Sequence, residues 1–306
     1  MGRLRIGARG SKLSRAQTQM IVEMLMGRVS GLEIEVVPIT TAGDRLPPER
    51  RRAVDGKTAF TGDIQSLLLS GELDAAVHSM KDVSVEPKKG LKIAATPPRG
   101  DPRDVLVSVR GVKLGDLREG AAVGTSSLRR RAQLLNLRRD LTIVDLHGNV
   151  ESRMERMDRL RLDAVVLAAA GVERISESRR VSQYFSTEEM VPAIGQATLA
   201  VEVREDDAET GKIIATIDDG KTRAESECER AFARKVGGDC FVPVGAYARL
   251  DGGSLTVSGM IASPDGKELL RRTLSSASND PEALGRKLGE EMLKQGGEKI
   301  LRGLVA

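Results

Sequence analysis

Three consecutive arginines stand where a helix is expected to begin. In the segment GTSSLRRRAQ, either Ser126 or Ser127 is a good N-cap. The first turn would then carry Arg129, Arg130 and Arg131. Cations are unfavourable there because the helix dipole is positive at this end, and a bound anion would remove the repulsion. The segment therefore predicts a carboxylate or phosphate site, with a solvated basic helix face as the alternative.

Two more segments place polar side chains at the same kind of corner. In LRIGARGSKLSRAQ, Arg9 and Ser11 lie between an expected strand and an expected helix, which predicts a second anion pocket. The strand expected at 141–146 ends before His147, and the helix after it carries Arg153. Open α/β sheets bind ligands at the carboxyl ends of strands, which favours a functional His147. The alternative is a structural or surface histidine.

The segment HSMKD also follows an expected strand. It offers a hydroxyl, an ammonium group and a carboxylate on Ser79, Lys81 and Asp82. A functional site at the strand end is one interpretation. A surface ion pair between Lys81 and Asp82 is the other.

The two cysteines have different settings. Cys240 lies in GGDCFVPVG, a loop in which two glycines allow unusual backbone angles. A loop thiol in a chain with several anion sites could be a covalent attachment point, although a buried inert thiol is the usual state of cysteine. We expect Cys228, within a helix, to be such a buried thiol.

Composition excludes several classes of function. Four Phe, two Tyr and no Trp leave too few rings for recognition of single-stranded nucleic acid by base stacking. A net charge of +4 over 306 residues is too small for a general polyanion binder. Two Cys and two His are too few for a structural zinc site or most metal chemistry. We therefore expect no nucleic-acid partner and no metal.

We expect a cytoplasmic protein with reduced thiols and no membrane partner. The N-terminal residues show no signal peptide. No apolar run approaches the ~18–20 residues that a membrane span requires.

Short aliphatic runs alternate with helical patterns, which is typical of α/β architecture with largely parallel sheets. The patterns predict strands at 4–7 and 33–39, helices at 12–28 and about 62–71, and a mobile surface loop at 40–60.

The second half of the chain repeats part of this plan. AAVGTSSLRRRAQ at 121–133 is similar to LRIGARGSKLSRAQ at 4–17, and LDAVVLAAAG at 162–171 is similar to LDAAVHSMKD at 73–82. Two related α/β lobes would explain both similarities. The alternative is that strand ends before helices look alike in any α/β protein.

Proline and glycine predict hinges near 96–103 and 190–200. From about residue 218 the pattern changes to a helix, two strands around an Asp-Gly turn and a terminal helix at about 281–297. This end of the chain is expected to form a small α+β domain.

Taken together, the segments resemble the hydroxymethylbilane synthase family, also called porphobilinogen deaminase, of tetrapyrrole (porphyrin and heme) biosynthesis. The resemblance runs through nearly the whole chain in order: IGARGSKLSRAQ, GDR and GKTAF, LDAAVHSMKDV, GTSSLRRRAQ, HGNVESR, AAAGVER, VPAIGQ, ERAF and GGDCFVPVGAYA. It implies two α/β domains like those of periplasmic binding proteins, flanking a cleft, and a small α+β C-terminal domain. The domains would be residues 1–97 with about 198–215, residues 103–191, and residues 218–306.

The resemblance also implies a reaction. One dipyrromethane cofactor per chain, assembled from two porphobilinogens, would be held by a thioether to Cys240. Four porphobilinogens are then added head to tail. Each loses ammonia to give an azafulvene electrophile, which the terminal pyrrole α-carbon attacks. Hydrolysis releases linear hydroxymethylbilane from what is expected to be a monomeric transferase.

Residue roles follow from the same resemblance. Asp82 would be catalytic, because a carboxylate beside pyrrole N–H groups can stabilise cationic intermediates and transfer protons. Cofactor-binding residues would be Cys240, Ser79, Lys81, Asp82, Thr125, Ser126, Ser127, Arg129 and Arg130. Substrate-binding residues would be Arg9, Ser11, Gln17, Lys57, His147, Arg153 and Arg174.

Three positions depart from the family pattern. His147 stands where Arg is common, so one substrate contact would become pH-dependent. Ala53 stands where a loop Lys is often found. Asp239 replaces a frequent Gly before Cys240, and its charge disfavours a thiolate there.

Two other classes compete with this interpretation. A non-catalytic anion-binding protein of the periplasmic-binding type would share the two-lobed plan but leaves Cys240 unexplained. A phosphate-handling enzyme would be expected to show a Walker glycine-lysine loop or a metal cluster, and the sequence has neither pattern.

Overall fold

The computed structural model describes residues 3–45, 58–237, 242–277 and 280–303. The chain divides into two compact units. Unit 1 is Met1–Gly100 with Ala197–Arg223, and unit 2 is Asp101–Gln196 with Ala224–Ala306.

The chain passes between the units three times. The passages after Gly100 and after Gln196 fall inside the two predicted hinge segments, and the third comes after Arg223. The predicted division into three domains stays a prediction, because unit 2 combines the expected second and third domains.

Unit 1 is built on a five-stranded sheet of order β2-β1-β3-β10-β4. Its strands are β1 (Arg3–Arg9), β2 (Glu33–Ile39), β3 (Ala75–Ser79), β4 (Leu91–Ala95) and β10 (Leu199–Arg204). Its helices are α1 (Lys12–Arg28), α2 (Ala42–Arg45), α3 (Thr58–Leu69) and α7 (Ala208–Ala215). The predicted strand at 33–39 and helix at 12–28 are confirmed.

Local sequence explains these elements. Ser11 caps α1, since its side chain accepts a hydrogen bond from the Ser14 N–H. Ile21 and Leu25, one turn apart, are fully buried against the sheet residues Ile6 and Val201 in one apolar cluster. The core is aliphatic, as the scarcity of aromatic residues requires.

Unit 2 contains a second five-stranded sheet, of order β7-β6-β8-β5-β9, and a three-stranded sheet, β11-β12-β13. The strands are β5 (Asp104–Ser108), β6 (Ala122–Gly124), β7 (Thr142–Val144), β8 (Ala164–Ala168), β9 (Gln183–Tyr184), β11 (Val244–Asp251), β12 (Ser254–Ala262) and β13 (Leu269–Ser276). The helices are α4 (Leu128–Leu137), α5 (Val150–Arg159), α6 (Ala169–Arg174), α8 (Gly220–Val236), α9 (Pro281–Met292) and α10 (Glu298–Arg302). Helix α8 begins in unit 1.

The two five-stranded sheets are built in the same way. In each sheet, the strand before the N-capped helix pairs in parallel with both of its neighbours. Gly7 pairs with Ala76 in unit 1, and Gly124 pairs with Val165 in unit 2. A Cβ at either glycine would lie under 3.0 Å from a leucine, Leu73 or Leu162 respectively. The structure therefore supports the internal repeat.

The expectation of largely parallel sheets is wrong. Each five-stranded sheet contains two parallel and two antiparallel pairings. The reversed strands are β10 in unit 1 and β5 in unit 2. Each follows a passage of the chain from the other unit, so no helical crossover within the same sheet forces it to be parallel.

The predicted loop at 40–60 is also wrong at its two ends. Residues 42–45 form α2, and α3 already begins at residue 58. The Asp63 carboxylate accepts the Ala42 N–H at 2.6 Å, and the Asp44 carboxylate accepts the Thr41 N–H at 3.1 Å. These carboxylates fix α2, and residues 46–57 lie outside the described part of the chain.

The C-terminal part is the expected α+β assembly. Helices α8 and α9 cover the antiparallel three-stranded sheet with Phe232, Leu288 and Met292. The terminal helix predicted to about residue 297 is confirmed, with its last five residues in a π-helical turn. Cys228 is a buried free thiol whose pKa burial raises to about 12, as expected for an inert cysteine.

Within the described ranges, no helix is both long and apolar enough to cross a membrane.

Candidate functional site

The arginines at the start of α4 point into unit 2. Arg129 and Arg130 are only 4% and 5% exposed, which rules out the solvated basic face for these two residues, whereas Arg131 is exposed. Both contact Asp104, the fully buried first residue of β5. Arg129 Nη1 lies 2.7 Å from one carboxylate oxygen of Asp104, and Arg130 Nη2 lies 2.7 Å from the other.

Burial and charge act in opposite directions on this cluster. Burial alone would raise the pKa of Asp104, but the two guanidinium groups hold that pKa well below its usual value. Burial lowers the pKa of Arg129, and Asp104 opposes that effect. Asp104 is therefore ionised at neutral pH, and its single negative charge faces two positive charges.

The charges of this cluster do not balance, so a further anion would stabilise it. Two guanidinium groups and one carboxylate leave an excess of one positive charge in a buried place, which is unfavourable without a counter-ion. Arg129 Nε is buried, and no hydrogen bond from the described residues reaches it. These residues therefore fit a carboxylate-bearing group.

The loop before α4 lines the same helix N-terminus. Ser127 is the N-cap, and its Oγ accepts a hydrogen bond from the Arg130 N–H. Thr125 is buried, and its Oγ1 accepts the Ser127 N–H at 3.2 Å. Ser126 Oγ accepts Arg153 Nη2 from α5 at 3.5 Å. The structure thus brings these hydroxyls, Arg153 and the α4 N-terminus together.

The repeat-related corner in unit 1 is built differently. Arg9, at the end of β1, forms an ion pair with Asp44 of α2, and its guanidinium lies 4.4 Å from the centre of the Phe60 ring. Its side chain is 26% exposed. Burial would raise the pKa of Asp44, but the hydrogen bond from Arg9 and its charge lower it. Ser11 lies beside Arg9 as the N-cap of α1.

The segment HSMKD ends β3 with a short 3-10 turn, Met80–Asp82. Lys81 and Asp82 are partly exposed on this turn. Among the described residues, no hydrogen bond or ion pair involves the Asp82 carboxylate, so the alternative of a Lys81–Asp82 ion pair does not form there. Ser79 Oγ lies 3.0 Å from Nε2 of the buried Gln17, so two predicted site residues meet here.

The remaining predicted residues of unit 2 lie at strand ends. His147 follows β7, and its Nε2 is 3.2 Å from a carboxylate oxygen of Asp145. Arg174 ends α6, which directly follows β8, and burial lowers its pKa while Glu173 opposes that shift.

Four of the residues discussed from the sequence lie outside the described residues: Lys57, Cys240, Ala53 and Asp239.

Sequence reasoning missed the acidic partners of both corners. Asp104 begins the fully buried strand DVLVS. A carboxylate at the start of an apolar run could have indicated a buried acid that needs a cationic partner. Asp44 lies in the segment predicted to be a loop, so nothing marked it. Gln133 was also missed: it is fully buried and bonds both the N–H and the C=O of Val191.

Comparisons with known proteins cover nearly the whole chain. A family model described as "Porphobilinogen deaminase, dipyromethane cofactor binding domain" matches residues 4–212, and one described as "Porphobilinogen deaminase, C-terminal domain" matches residues 223–294. The porphobilinogen deaminase of Brevibacillus brevis is 42% identical over 98% of this chain and 97% of its own length. That of Natranaerobius thermophilus is 42% identical over 99% of each chain.

The solved structures to which the chain is similar include two periplasmic proteins. A TRAP periplasmic solute binding protein of Desulfovibrio salexigens is 11% identical with a TM-score of 0.43, over 71% of this chain and 72% of its own. A periplasmic binding protein of Salmonella typhimurium described for its high arginine specificity is 14% identical with a TM-score of 0.40, over 73% and 94%. With two family models and relatives at 42% identity matching almost end to end, the chain belongs to the porphobilinogen deaminase family.

Proposed function

We propose that this protein is a hydroxymethylbilane synthase, a transferase that condenses four porphobilinogens head to tail and releases linear hydroxymethylbilane. The observation that carries the proposal is the buried cluster at α4, in which two guanidinium groups face one carboxylate. This cluster lies within the residues matched as a dipyrromethane cofactor binding domain. An acid-rich pyrrole chain would supply the missing anion.

The chain's own residues would hold a dipyrromethane in two ways. Cys240 would attach it by a thioether, and Arg129, Arg130 and the α4 N-terminus would bind its carboxylates. Other carboxylate contacts would come from Ser79, Lys81, Thr125, Ser126 and Ser127. When bound, the cofactor supplies the pyrrole chain end on which the product grows.

Asp82 would act on the reacting groups. Its carboxylate ends a short, partly exposed turn, and no described residue holds it in an ion pair or a hydrogen bond. A carboxylate in that state can accept hydrogen bonds from pyrrole N–H groups, stabilise positive charge that develops during loss of ammonia, and move a proton. An amide of the same shape lacks the negative charge.

Substrate side chains would be held by basic and polar groups at the strand ends. These are Arg9, Ser11, Gln17, Lys57, His147, Arg153 and Arg174. Porphobilinogen carries an acetate and a propionate, so guanidinium groups suit it. Cytoplasmic location and a monomeric state stay predictions.

The test combines turnover with intact mass. Wild-type protein is expected to consume porphobilinogen, release ammonia, and carry an excess mass of two pyrrole units that reacts with Ehrlich's reagent. The variant Asp82→Asn should keep this mass and turn over about 100-fold more slowly. Cys240→Ser should lack the covalent mass. Near-normal turnover by Asp82→Asn would contradict the role of Asp82, and wild-type protein that neither carries the mass nor consumes porphobilinogen would contradict the function.

A further inference from the structure

A buried polar network lies behind the Asp82 turn. It consists of Gln65 on α3, His78 on β3 and Glu202 on β10, which are 4%, 5% and 3% exposed. Gln65 Nε2 lies 3.1 Å from both carboxylate oxygens of Glu202. His78 Nε2 lies 3.4 Å from Glu202 Oε2, and no hydrogen bond from the described residues reaches that nitrogen. One acidic and one basic group are thus buried together.

The internal repeat shows that the fold does not need this network. Leu73 and Leu162 occupy equivalent places, because each packs against the glycine of the paired strand. Counting back eight residues from each leucine gives Gln65 and Met154, and counting forward five gives His78 and Leu167.

The position in unit 2 that is equivalent to Glu202 follows from the strand register. Ser79 pairs with Leu199, and the equivalent Ala168 pairs with Asp104. Three residues further along these partner strands lie Glu202 and Val107.

The equivalent residues of unit 2 are therefore Met154, Leu167 and Val107, which are at most 2% exposed. The same positions are filled by an apolar set in one sheet and by a polar set in the other. Burying an acid and a base in place of apolar side chains is often neutral or unfavourable for stability. Departures of this kind concentrate at functional sites.

The network joins the elements that lead to the Asp82 turn. His78 immediately precedes Ser79 and stands four residues before Asp82. Glu202 lies on β10, the strand that begins directly after Thr198. The carbonyl oxygen of Thr198 accepts the Met80 N–H of the turn at 2.9 Å. Gln65 lies on α3, which covers β3 and β10. In unit 2, the strand end equivalent to Lys81 and Asp82 is Ala170 and Gly171, so the polar network occurs only where the turn carries charged groups.

We propose that Gln65, His78 and Glu202 are positioning residues that fix the direction in which β3 ends and so place Lys81 and Asp82. They are buried and act through the turn. This inference rests on the proposed function, in which Asp82 acts on the reacting groups.

The chain supplies its own replacement set for a test. The triple variant Gln65→Met, His78→Leu, Glu202→Val installs the apolar residues of unit 2. We expect an unfolding midpoint equal to or above that of wild type, unchanged cofactor mass, a kcat for porphobilinogen reduced about 10-fold or more, and a KM changed less than about 3-fold. Glu202→Gln, which keeps hydrogen-bonding atoms, should lose about 3-fold in kcat.

The matched control is Ile64→Val. Ile64 is fully buried on the same helix, in the neighbouring apolar cluster, and this variant should lower the unfolding midpoint with kcat unchanged. A stable triple variant with wild-type kcat would overturn the proposal. A loss of kcat that is proportional to the loss of stability would also overturn it, because a purely structural role gives that result. If the triple variant does not fold, Glu202→Gln decides on the same criteria.

A second readout does not depend on activity. The Met80 N–H donates to the Thr198 carbonyl oxygen, and the Val83 N–H donates to that of Met80. Hydrogen exchange at these two amides should speed up in the triple variant and not in Ile64→Val. Unchanged exchange would overturn the positioning role. If wild-type protein does not consume porphobilinogen, the proposed function fails, while the exchange data still decide whether the network orders the turn.

Discussion

The two repeat-related corners share the same order of strand, cap and helix but differ in their electrostatics. In each, a strand leads to a serine N-cap, Ser11 or Ser127, and a helix follows. In unit 1 the arginine precedes the cap, is about a quarter exposed, and pairs with one carboxylate. In unit 2 two arginines follow the cap, are buried, and share one carboxylate, Asp104.

The difference indicates what each corner can bind. The Arg9–Asp44 pair is neutral and close to water, so an incoming anion can compete for the guanidinium at little cost. The unit 2 cluster keeps an excess positive charge out of water, which favours a carboxylate that stays bound. We therefore propose that the unit 2 corner binds a permanent ligand and that the unit 1 corner binds a passing substrate.

The largest effect is expected from removing the shared carboxylate. Asp104→Asn leaves two buried guanidinium groups without an ionised partner and should lower the free energy of unfolding by about 3–5 kcal/mol. Chemical denaturation of the purified protein measures this. A loss below about 1 kcal/mol would show that the cluster is not an electrostatic unit.

The paired glycines give the next largest effect. A Cβ at Gly124 would meet Leu146, Leu162 and Val165 at 2.8–3.1 Å, whereas the three atoms nearest to a Cβ at Gly7 all belong to Leu73. Both alanine variants should be destabilised by about 1–3 kcal/mol through overpacking, with Gly124→Ala the more affected because three side chains must move. Thermal unfolding compares them, and an equal or reversed order would contradict this account of the repeat.

Acid should weaken the contribution of Asp104. Because its pKa is lowered in the folded protein, its stabilisation is complete above its unfolded pKa of about 3.9 and is lost as the pH falls toward the lower folded value. The difference in unfolding free energy between wild type and Asp104→Asn should thus be constant from pH 7 to about pH 5 and shrink below about pH 4. A difference that grows on acidification would contradict the assignment.

The smallest effect is expected at the unit 1 corner. Asp44→Asn should lower the free energy of unfolding by less than about 1 kcal/mol, because the Arg9 pair is partly exposed. The main effect of this variant should be a changed KM for porphobilinogen, because Arg9 loses its fixed position. A stability loss as large as that of Asp104→Asn would remove the contrast between the corners.

The sequence predicted the elements near the N-terminus well, because there the periodicity is local. Helix 12–28 and strand 33–39 have clear apolar spacing and a capping serine. The antiparallel strands β5 and β10 could not be predicted in the same way. Their direction depends on which unit the chain has just left, and no local pattern records that.

The site shows the same division. Helix electrostatics predicted from the sequence that the arginines at the N-terminus of α4 are unfavourable there without an anion. Part of the negative charge that they need comes from Asp104, which is distant in sequence and is brought to the arginines on β5, the strand that pairs with β8. Gln65, His78 and Glu202 were hidden for a similar reason, since three separate elements bring them together.

We propose that the buried excess of positive charge at α4 holds a carboxylate of a covalently bound dipyrromethane. The direct test is the intact mass of freshly purified Arg129→Met beside Arg131→Ala, a variant in the same helical turn whose arginine is exposed. Wild type and Arg131→Ala should carry the mass of two pyrrole units, and folded Arg129→Met should largely lack it. Full loading of folded Arg129→Met would contradict the claim.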